Sequence, residues 1–147
     1  MHIELTEEQY RDLVELVVLG NYVRGGVADI RGESGDNRWE KIEQCVLFAA
    51  INDDITGVAE MFHGQIVPTD ELDGKVEEMM EEYDNDEFWH ELEVRLGQRD
   101  FYREIIKDDL KYIEEHHGVL PERINSYYQK YEDEFDEHDI DRLEIKK

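Results

Sequence analysis

Between Asp70 and Glu93, twelve of 24 residues are acidic, and the apolar residues among them recur every three or four positions. This spacing places apolar side chains on one side of a helix and acids on the other, whereas a strand needs strict alternation. The apolar positions are Leu72, Val76, Met79, Met80 and Tyr83, then Phe88, Trp89, Leu92 and Leu96. The segment therefore predicts two amphipathic helices. The first is capped by Thr69, Asp84–Asp86 form a turn or an N-cap, and the second helix ends at Gly97.

The rest of the chain carries further helical patterns, separated by loops rich in glycine. A capping box formed by Thr6 and Gln9 begins a helix that should end near Arg24, before Gly25 and Gly26. Residues 32–37, GESGDN, indicate a loop. Other helices are predicted around Trp39–Ala50 and around Phe101–Ile113, the latter with an end near Gly118. A last helix should follow Pro121, with an apolar face formed by Ile124, Tyr127, Tyr128, Tyr131 and Phe135. The segment Asp53–Val67 is ambiguous, and one interpretation is a short helix at residues 58–63.

These patterns predict an all-α fold, a compact bundle of about six helices. The length of 147 residues predicts a single acidic helical domain over residues 1–147. Apolar and polar residues alternate at both ends of the chain, so residues 2–5 and 142–146 are expected to pair as two short strands. The expected core contains Leu13, Val17, Trp39, Val46, Met80, Trp89, Leu92, Ile106 and Tyr131.

The single cysteine and the apolar runs predict where the protein works. Cys45 lies in CVLFAAI and is expected to be a buried, unreactive thiol. The first ten residues show no signal-peptide pattern, and the longest apolar run, residues 45–51, is too short to span a membrane. The expectation is a soluble cytoplasmic protein.

Net charge restricts the partners that the chain can bind. The formal charge is −24, and residues 42–94 alone hold 16 acids and one base. A second cluster, EDEFDEHDID at residues 132–141, adds seven acids without Lys or Arg. Like charges repel, which argues against direct binding to nucleic acid or to an anionic membrane.

The acidic surface indicates a non-enzymatic protein–protein interaction module with a basic or nucleic-acid-binding protein as its partner. Twelve acids in 24 helical residues give about one charge per 3 Å, close to the phosphate spacing of about 3.4 Å along one DNA strand. An inhibitor that mimics nucleic acid is therefore one hypothesis, and charge that serves only solubility is another. The predicted partner-binding residues are Glu77, Glu78, Glu81, Glu82, Asp84 and Asp86.

The alternative function is a carboxylate–histidine metal-binding protein or metalloenzyme. The spacing Glu-x-x-His occurs at Glu60–His63, Glu87–His90 and Glu114–His117, and such pairs share a helix face. With 24 Glu and 6 His among 147 residues, chance alone gives about one such pair. His90 begins HELEV, but Val94 occupies the position of the second histidine of a zinc-protease motif. No catalytic residue, metal ligand or cofactor is predicted.

Basic residues form one regular pattern. Arg95, Arg99, Arg103, Lys107 and Lys111 recur every four residues. The main interpretation is a solvated helix face with ion pairs such as Glu91 to Arg95. The alternative is a surface for an acidic partner, including a second copy of this chain.

Two segments carry a resemblance. LTEEQYRDLVELVVLGN, residues 5–21, and DNDEFWHELEVRLGQRDF, residues 84–101, resemble segments of a family of uncharacterised bacterial proteins. The matching positions are helix faces, and the resemblance implies no function.

Overall fold

A computed structural model describes residues 3–33 and 38–144 of the chain. The prediction of a mainly helical chain is confirmed, but the described residues form five α-helices and a hairpin rather than about six helices. The elements are α1 Glu7–Arg31, α2 Arg38–Asn52, β1 Ala59–Phe62, β2 Gln65–Pro68, α3 Asp70–Arg103, α4 Lys107–Glu115 and α5 Asn125–His138, with a 3-10 turn at Glu122–Ile124.

The chain divides into two compact units, residues 1–81 (unit 1) and residues 82–147 (unit 2), and the boundary falls within α3. The single domain expected from chain length stays a prediction.

Helix α1 begins as predicted but ends later. Thr6 Oγ1 accepts a hydrogen bond from the Gln9 N–H at 3.2 Å, and Gln9 Oε1 accepts one from the Thr6 N–H at 3.0 Å. The expected end near Arg24 is wrong, because the helix continues through both following glycines to Gly32. Each glycine inside a helix lowers helix stability by up to about 1 kcal/mol. Of the glycines in α1 and at its end, Gly32 alone, at φ 65°, has the left-handed backbone that ends a helix.

The core of unit 1 lies among α1, α2, the hairpin and the first turns of α3. Its buried side chains are Val14, Val18, Leu47, Ala50, Val58, Ala59, Leu72 and Val76. The Tyr10 hydroxyl donates to the Val46 carbonyl at 2.6 Å and ties α1 to α2. Thr69 caps α3 as predicted, because its Oγ1 accepts from the Leu72 N–H at 3.3 Å.

Residues 59–68 form an antiparallel hairpin, so a short helix at residues 58–63 is wrong. Phe62 pairs with Gln65, which leaves a two-residue turn. Both turn residues have positive φ, 50° at His63 and 84° at Gly64. Two-residue turns of this kind match the twist of paired strands, but they usually carry Asn-Gly or Asp-Gly. The His-Gly pair was therefore a weak signal.

In unit 2, α3, the 3-10 turn and α5 carry the main core residues: Phe101, Ile124, Tyr131 and Phe135 are buried. The predicted apolar side of the last helix is confirmed by the last three, and Pro121 directly precedes the 3-10 turn. The predicted turn at Asp84–Asp86 and helix end at Gly97 are both wrong, because α3 is helical through Arg103. The Trp89 and Phe135 rings lie 5.5 Å apart between centroids.

The predicted helix over Phe101–Ile113 is interrupted at residues 104–106, where α3 has ended and α4 has not begun. The Asp109 carboxylate accepts a hydrogen bond from the Ile106 N–H at 3.1 Å. Asp109 also pairs with Arg123 at 3.0 Å. A side chain that accepts a hydrogen bond from a free backbone N–H stabilises the start of a helix. The spacing of apolar residues did not predict this start of α4.

Several expected core positions are corrected by the structure. Tyr131 is buried, and Val17, Val46, Met80, Trp89 and Leu92 are half-buried. Leu13, Trp39 and Ile106 are exposed, and so is Cys45, because α2 turns Leu47 and Ala50 inward instead. The described parts of the predicted terminal strands, residues 3–5 and 142–144, form no strand and are exposed; His2, Ile145 and Lys146 lie outside the described residues, as do residues 34–37 of the predicted loop.

Gly97 is expected to be required for the packing of α5 on α3. A Cβ at this position would lie 2.6 Å from Tyr128 Cδ1 and 3.2 Å from the Tyr128 backbone nitrogen. Crowding of this kind costs about 1–3 kcal/mol, offset by about 1 kcal/mol of helix propensity. We expect Gly97→Ala to lower the free energy of unfolding by about 1 kcal/mol, measured by urea unfolding.

The matched control is Gly74→Ala, in the same helix. A Cβ there meets no atom within 4 Å. This variant should gain up to about 1 kcal/mol. Equal effects of the two substitutions would contradict the role assigned to Gly97.

Candidate functional site

Unit 2 contains an open cleft between α3 and the C-terminal half of α5. Its volume is about 780 Å³. The side chains that line it come from two turns of α3, from α5 and from the residues that follow α5. They are Asn85, Asp86, Trp89, His90, Glu93, Glu132, Phe135, Asp136, Glu137, His138, Asp139 and Asp141. We call it the unit 2 cleft.

The unit 2 cleft is negatively charged. Within residues 3–33 and 38–144, seven of the residues that line it are acidic and none is Lys or Arg. Burial raises the pKa of the Glu93 carboxyl, and Glu132, Asp136 and Asp86 raise it further, whereas His90 acts in the opposite direction. The carboxylates thus crowd one another, and the described part of the lining contains no lysine or arginine.

Two aromatic rings give the unit 2 cleft an apolar part. Trp89 is half-buried and Phe135 is buried. Trp89 lies one helical turn from Glu93 on α3, and Phe135 lies one turn from Glu132 on α5. The acids therefore stand beside an aromatic surface, an arrangement suited to a flat cation such as a guanidinium group.

Unit 1 contains a second acid-lined cleft, between α1, α2 and the first turns of α3, with a volume of about 590 Å³. Its lining residues are Val18, Asn21, Tyr22, Gly25, Gly26, Asp29, Glu43, Pro68, Asp73, Val76 and Glu77. We call it the unit 1 cleft. Four of these residues are acids.

Burial is the first cause of raised pKa values in the unit 1 cleft. It raises the pKa of Glu43, opposed by a hydrogen bond from Asn21 at 2.7 Å and reinforced by Asp73 and Glu40. Burial also raises the pKa of Asp73, with Glu77 and Asp70 adding to it.

The two glycines that were expected to end α1 line the unit 1 cleft. A Cβ at Gly25 or at Gly26 would meet no other atom within 4 Å. In the part of the chain that the structure describes, no packing contact therefore requires glycine at these two positions. Without side chains at these positions, the cleft stays open along one side of α1.

The six predicted partner-binding residues are all exposed on α3. The structure brings only two of them to a cleft: Glu77 lines the unit 1 cleft and Asp86 lines the unit 2 cleft. Glu78, Glu81, Glu82 and Asp84 line neither cleft. Sequence reasoning did not single out Glu43, Asp73 or Glu93; the detectable signal for Glu93 was its position one turn after Trp89.

The three Glu-x-x-His pairs do not form a common site on one helix face. His63 lies in the hairpin turn, and His117 follows α4 with φ 55°. Only Glu87 and His90 share a helix. Within residues 3–33 and 38–144, no group of three or more His, Cys, Asp or Glu side chains could hold a metal ion.

The predicted basic stripe is interrupted, because Arg103 ends α3 and Lys107 begins α4. Arg95 pairs with Glu91 at 2.8 Å, as expected for a solvated face. Arg99 and Arg103 instead pair with Asp100, at 2.9 Å and 3.3 Å.

Comparison with known proteins finds no matching family model, no matching curated protein and no matching solved structure. The resemblance to uncharacterised bacterial proteins stays a prediction. Among the helices of the described residues, none has the length and apolar character needed to cross a membrane.

Proposed function

We propose that the protein is a non-enzymatic interaction module that binds a basic partner protein through its acid-lined clefts. The observation that carries this proposal is the unit 2 cleft, in which seven acids stand beside Trp89 and Phe135, with no lysine or arginine among the lining residues that the structure describes. A partner arginine could stack on Trp89 while its guanidinium donates to the carboxylates. We place the protein in the cytoplasm, where the exposed thiol of Cys45 stays reduced.

Charge crowding supports a cationic ligand. The raised pKa of Glu93 means that its ionised form is disfavoured in the free protein. A lysine or arginine of a partner that enters the unit 2 cleft would relieve this repulsion. Binding energy would therefore come from carboxylates that no lysine or arginine among the described lining residues neutralises in the free protein.

A narrower proposal is that the partner is a nucleic-acid-binding protein. Within unit 2, residues 82–93 of α3 hold six acids in twelve residues, about one per 3 Å of helix rise. This spacing is close to the phosphate spacing of about 3.4 Å along one DNA strand. Such a partner would bind DNA and this protein through the same basic surface.

The test compares two sets of variants that remove the same number of charges. The cleft set is Glu93→Gln, Glu132→Gln and Asp136→Asn, and the surface set is Glu78→Gln, Glu81→Gln and Glu82→Gln. An oligoarginine peptide is titrated into each protein at low and at high ionic strength. We expect the cleft set to lower affinity about tenfold or more, and the surface set mainly to slow association, because distant charge steers encounter. Equal losses in both sets would leave only a general effect of net charge.

DNA competition tests the narrower proposal. Partners captured by the wild-type protein are bound again in the presence of duplex DNA. We expect DNA to displace them, and added salt to weaken the complex, because exposed charges are screened beyond about 8 Å at physiological ionic strength. A captured partner that DNA does not displace removes the nucleic-acid mimic and leaves the interaction module.

A further inference from the structure

Helix α1 carries an apolar stripe on the side that faces away from the core. The stripe consists of Leu13, Leu16, Gly20, Val23, Val27 and Ile30, which recur at alternating spacings of three and four residues. Leu16 is 65% exposed and Ile30 is 88% exposed. Val14 and Val18, on the opposite side of the helix, are buried. We call this set the α1 stripe.

The regularity of the α1 stripe distinguishes it from scattered exposed apolar residues, which are normal on protein surfaces. From Leu13 to Ile30 the helix rises about 26 Å, and every third or fourth residue along that length is apolar or glycine. Alternation of three and four is the seam of a coiled coil, which packs against a second helix of the same pattern. The geometry therefore specifies a helix as the occupant.

Gly20, in the middle of the stripe, is consistent with the close approach of another helix. It is exposed, and a Cβ built on it meets no atom within 4 Å. A glycine inside a helix is less favourable than alanine, and no contact within residues 3–33 and 38–144 accounts for Gly20. The backbone of another helix would be able to approach α1 closely here, because Gly20 has no side chain.

The charges of α1 select the partner and its direction. Residues 7–18 contain four acids and one arginine, a net charge of −3, whereas residues 19–31 contain two arginines and one aspartate, a net charge of +1. Two parallel copies would place the −3 halves side by side. Two antiparallel copies place each −3 half beside a +1 half, at both ends of the seam. A two-fold axis produces such self-complementary pairs.

We propose that two copies of this chain associate through the α1 stripe, with the two α1 helices antiparallel. The pairing covers Leu16 and Ile30 in both copies. Leu13 of one copy lies opposite Ile30 of the other, and Gly20 opposite Val23. No residue of the α1 stripe lines either acid-lined cleft, although other residues of α1 line the unit 1 cleft.

Sedimentation of the full chain over a range of concentrations tests the association. We expect a dimer whose dissociation constant rises at least about a hundredfold in the double variant Leu16→Glu, Ile30→Glu, because two charges replace the apolar seam in each copy. Both positions are exposed, so circular dichroism should show an unchanged fold. The matched control, Met61→Glu, changes a side chain that is 59% exposed on β1 and should leave the dimer intact.

Salt separates this inference from the proposed function. Each copy carries a formal charge of −24, so screening should strengthen the dimer, whereas it should weaken the binding of a basic partner. A wild-type protein that stays monomeric at all concentrations, or a double variant that dimerises as tightly as wild type, would overturn the pairing.

Cross-linking tests the direction of the helices. In a Cys45→Ala background, a Leu13→Cys protein is mixed with an affinity-tagged Ile30→Cys protein and oxidised. The antiparallel arrangement is expected to give a disulfide between the two different variants. Disulfides only between like variants, or a dimer that forms no disulfide, would overturn it.

Discussion

Replacement of Asp109 by alanine is expected to lower the free energy of unfolding of unit 2 by about 3 kcal/mol. Asp109 is 6% exposed and is the one buried charged residue of the described chain. It pairs with Arg123 at 3.0 Å and accepts a hydrogen bond from the Ile106 N–H at 3.1 Å. Loss of a buried partner costs about 3–5 kcal/mol and loss of a cap about 1 kcal/mol. The Arg123 side chain is 37% exposed, so water can solvate its charge once Asp109 is removed. The expected loss of unfolding free energy therefore lies at the lower end of this range.

Urea unfolding followed by Trp89 fluorescence, in a Trp39→Phe background, measures this effect in unit 2. The control is Asp108→Ala, which removes an exposed acid from the same turn of α4. We expect it to cost less than about 0.5 kcal/mol. A cost below about 1 kcal/mol for Asp109→Ala would show that the pair with Arg123 contributes little.

Asp100→Asn is expected to lower the free energy of unfolding by about 2 kcal/mol at neutral pH. Burial alone would raise the pKa of Asp100, but hydrogen bonds from Tyr131, Arg99 and Lys130 lower it to about 2. The Tyr131 hydroxyl is 2.5 Å from the carboxylate, and the Asp100 side chain is only 15% exposed. A carboxyl whose pKa is lower in the folded than in the unfolded state stabilises the fold in its ionised form.

The pH dependence of Asp100 has a definite sign. Because its pKa is lower in the folded state, its contribution is fully present above the ordinary value of 3.8 and is lost as pH falls through about 2. The difference in stability between wild type and Asp100→Asn should therefore shrink across that window. The control is Glu91→Gln, in an exposed pair with Arg95, with an expected cost below about 0.5 kcal/mol. A difference that does not change with pH would contradict the assignment.

Helical character could be predicted because it depends on local spacing. Thr6 and Thr69 were both identified as caps, since a cap needs only a side chain and an N–H a few residues away. The apolar face of the last helical segment was also found, because Ile124 of the 3-10 turn and Tyr131 and Phe135 of α5 follow the helical period.

The roles of the glycines could not be predicted from local pattern. Gly32 ends a helix, whereas Gly97 lies inside one and is set against Tyr128 of α5. The two differ in backbone φ and in the contact that each makes. The contact of Gly97 involves a residue far along the chain, whereas a Cβ at Gly32 would meet no atom within 4 Å and the Gly32 N–H donates to Ala28 and Asp29 nearby.

The chemistry of the clefts could be predicted, but their positions could not. Net charge identified carboxylates as the characteristic surface groups, and Glu93 and Glu132 come together although 39 positions separate them in the chain. The acids chosen from sequence density are all exposed. Glu43 and Glu93, whose pKa values are raised, are half-buried, and burial depends on how the helices pack.

The carboxyl groups of Glu43, Asp73 and Glu93 make the charge of the molecule adjustable. Because the pKa of each is raised, these groups take up protons at a higher pH than ordinary carboxylic acids do. A cation that approaches them favours the ionised form and expels whatever protons they hold. When a basic partner binds, the protein would lose these protons and become more negative. In mildly acidic solution, the partner itself would therefore induce part of the negative charge that attracts it. The formal charge of −24 counts every Asp and Glu as ionised, so it is the charge that the protein approaches as these carboxyl groups lose their protons.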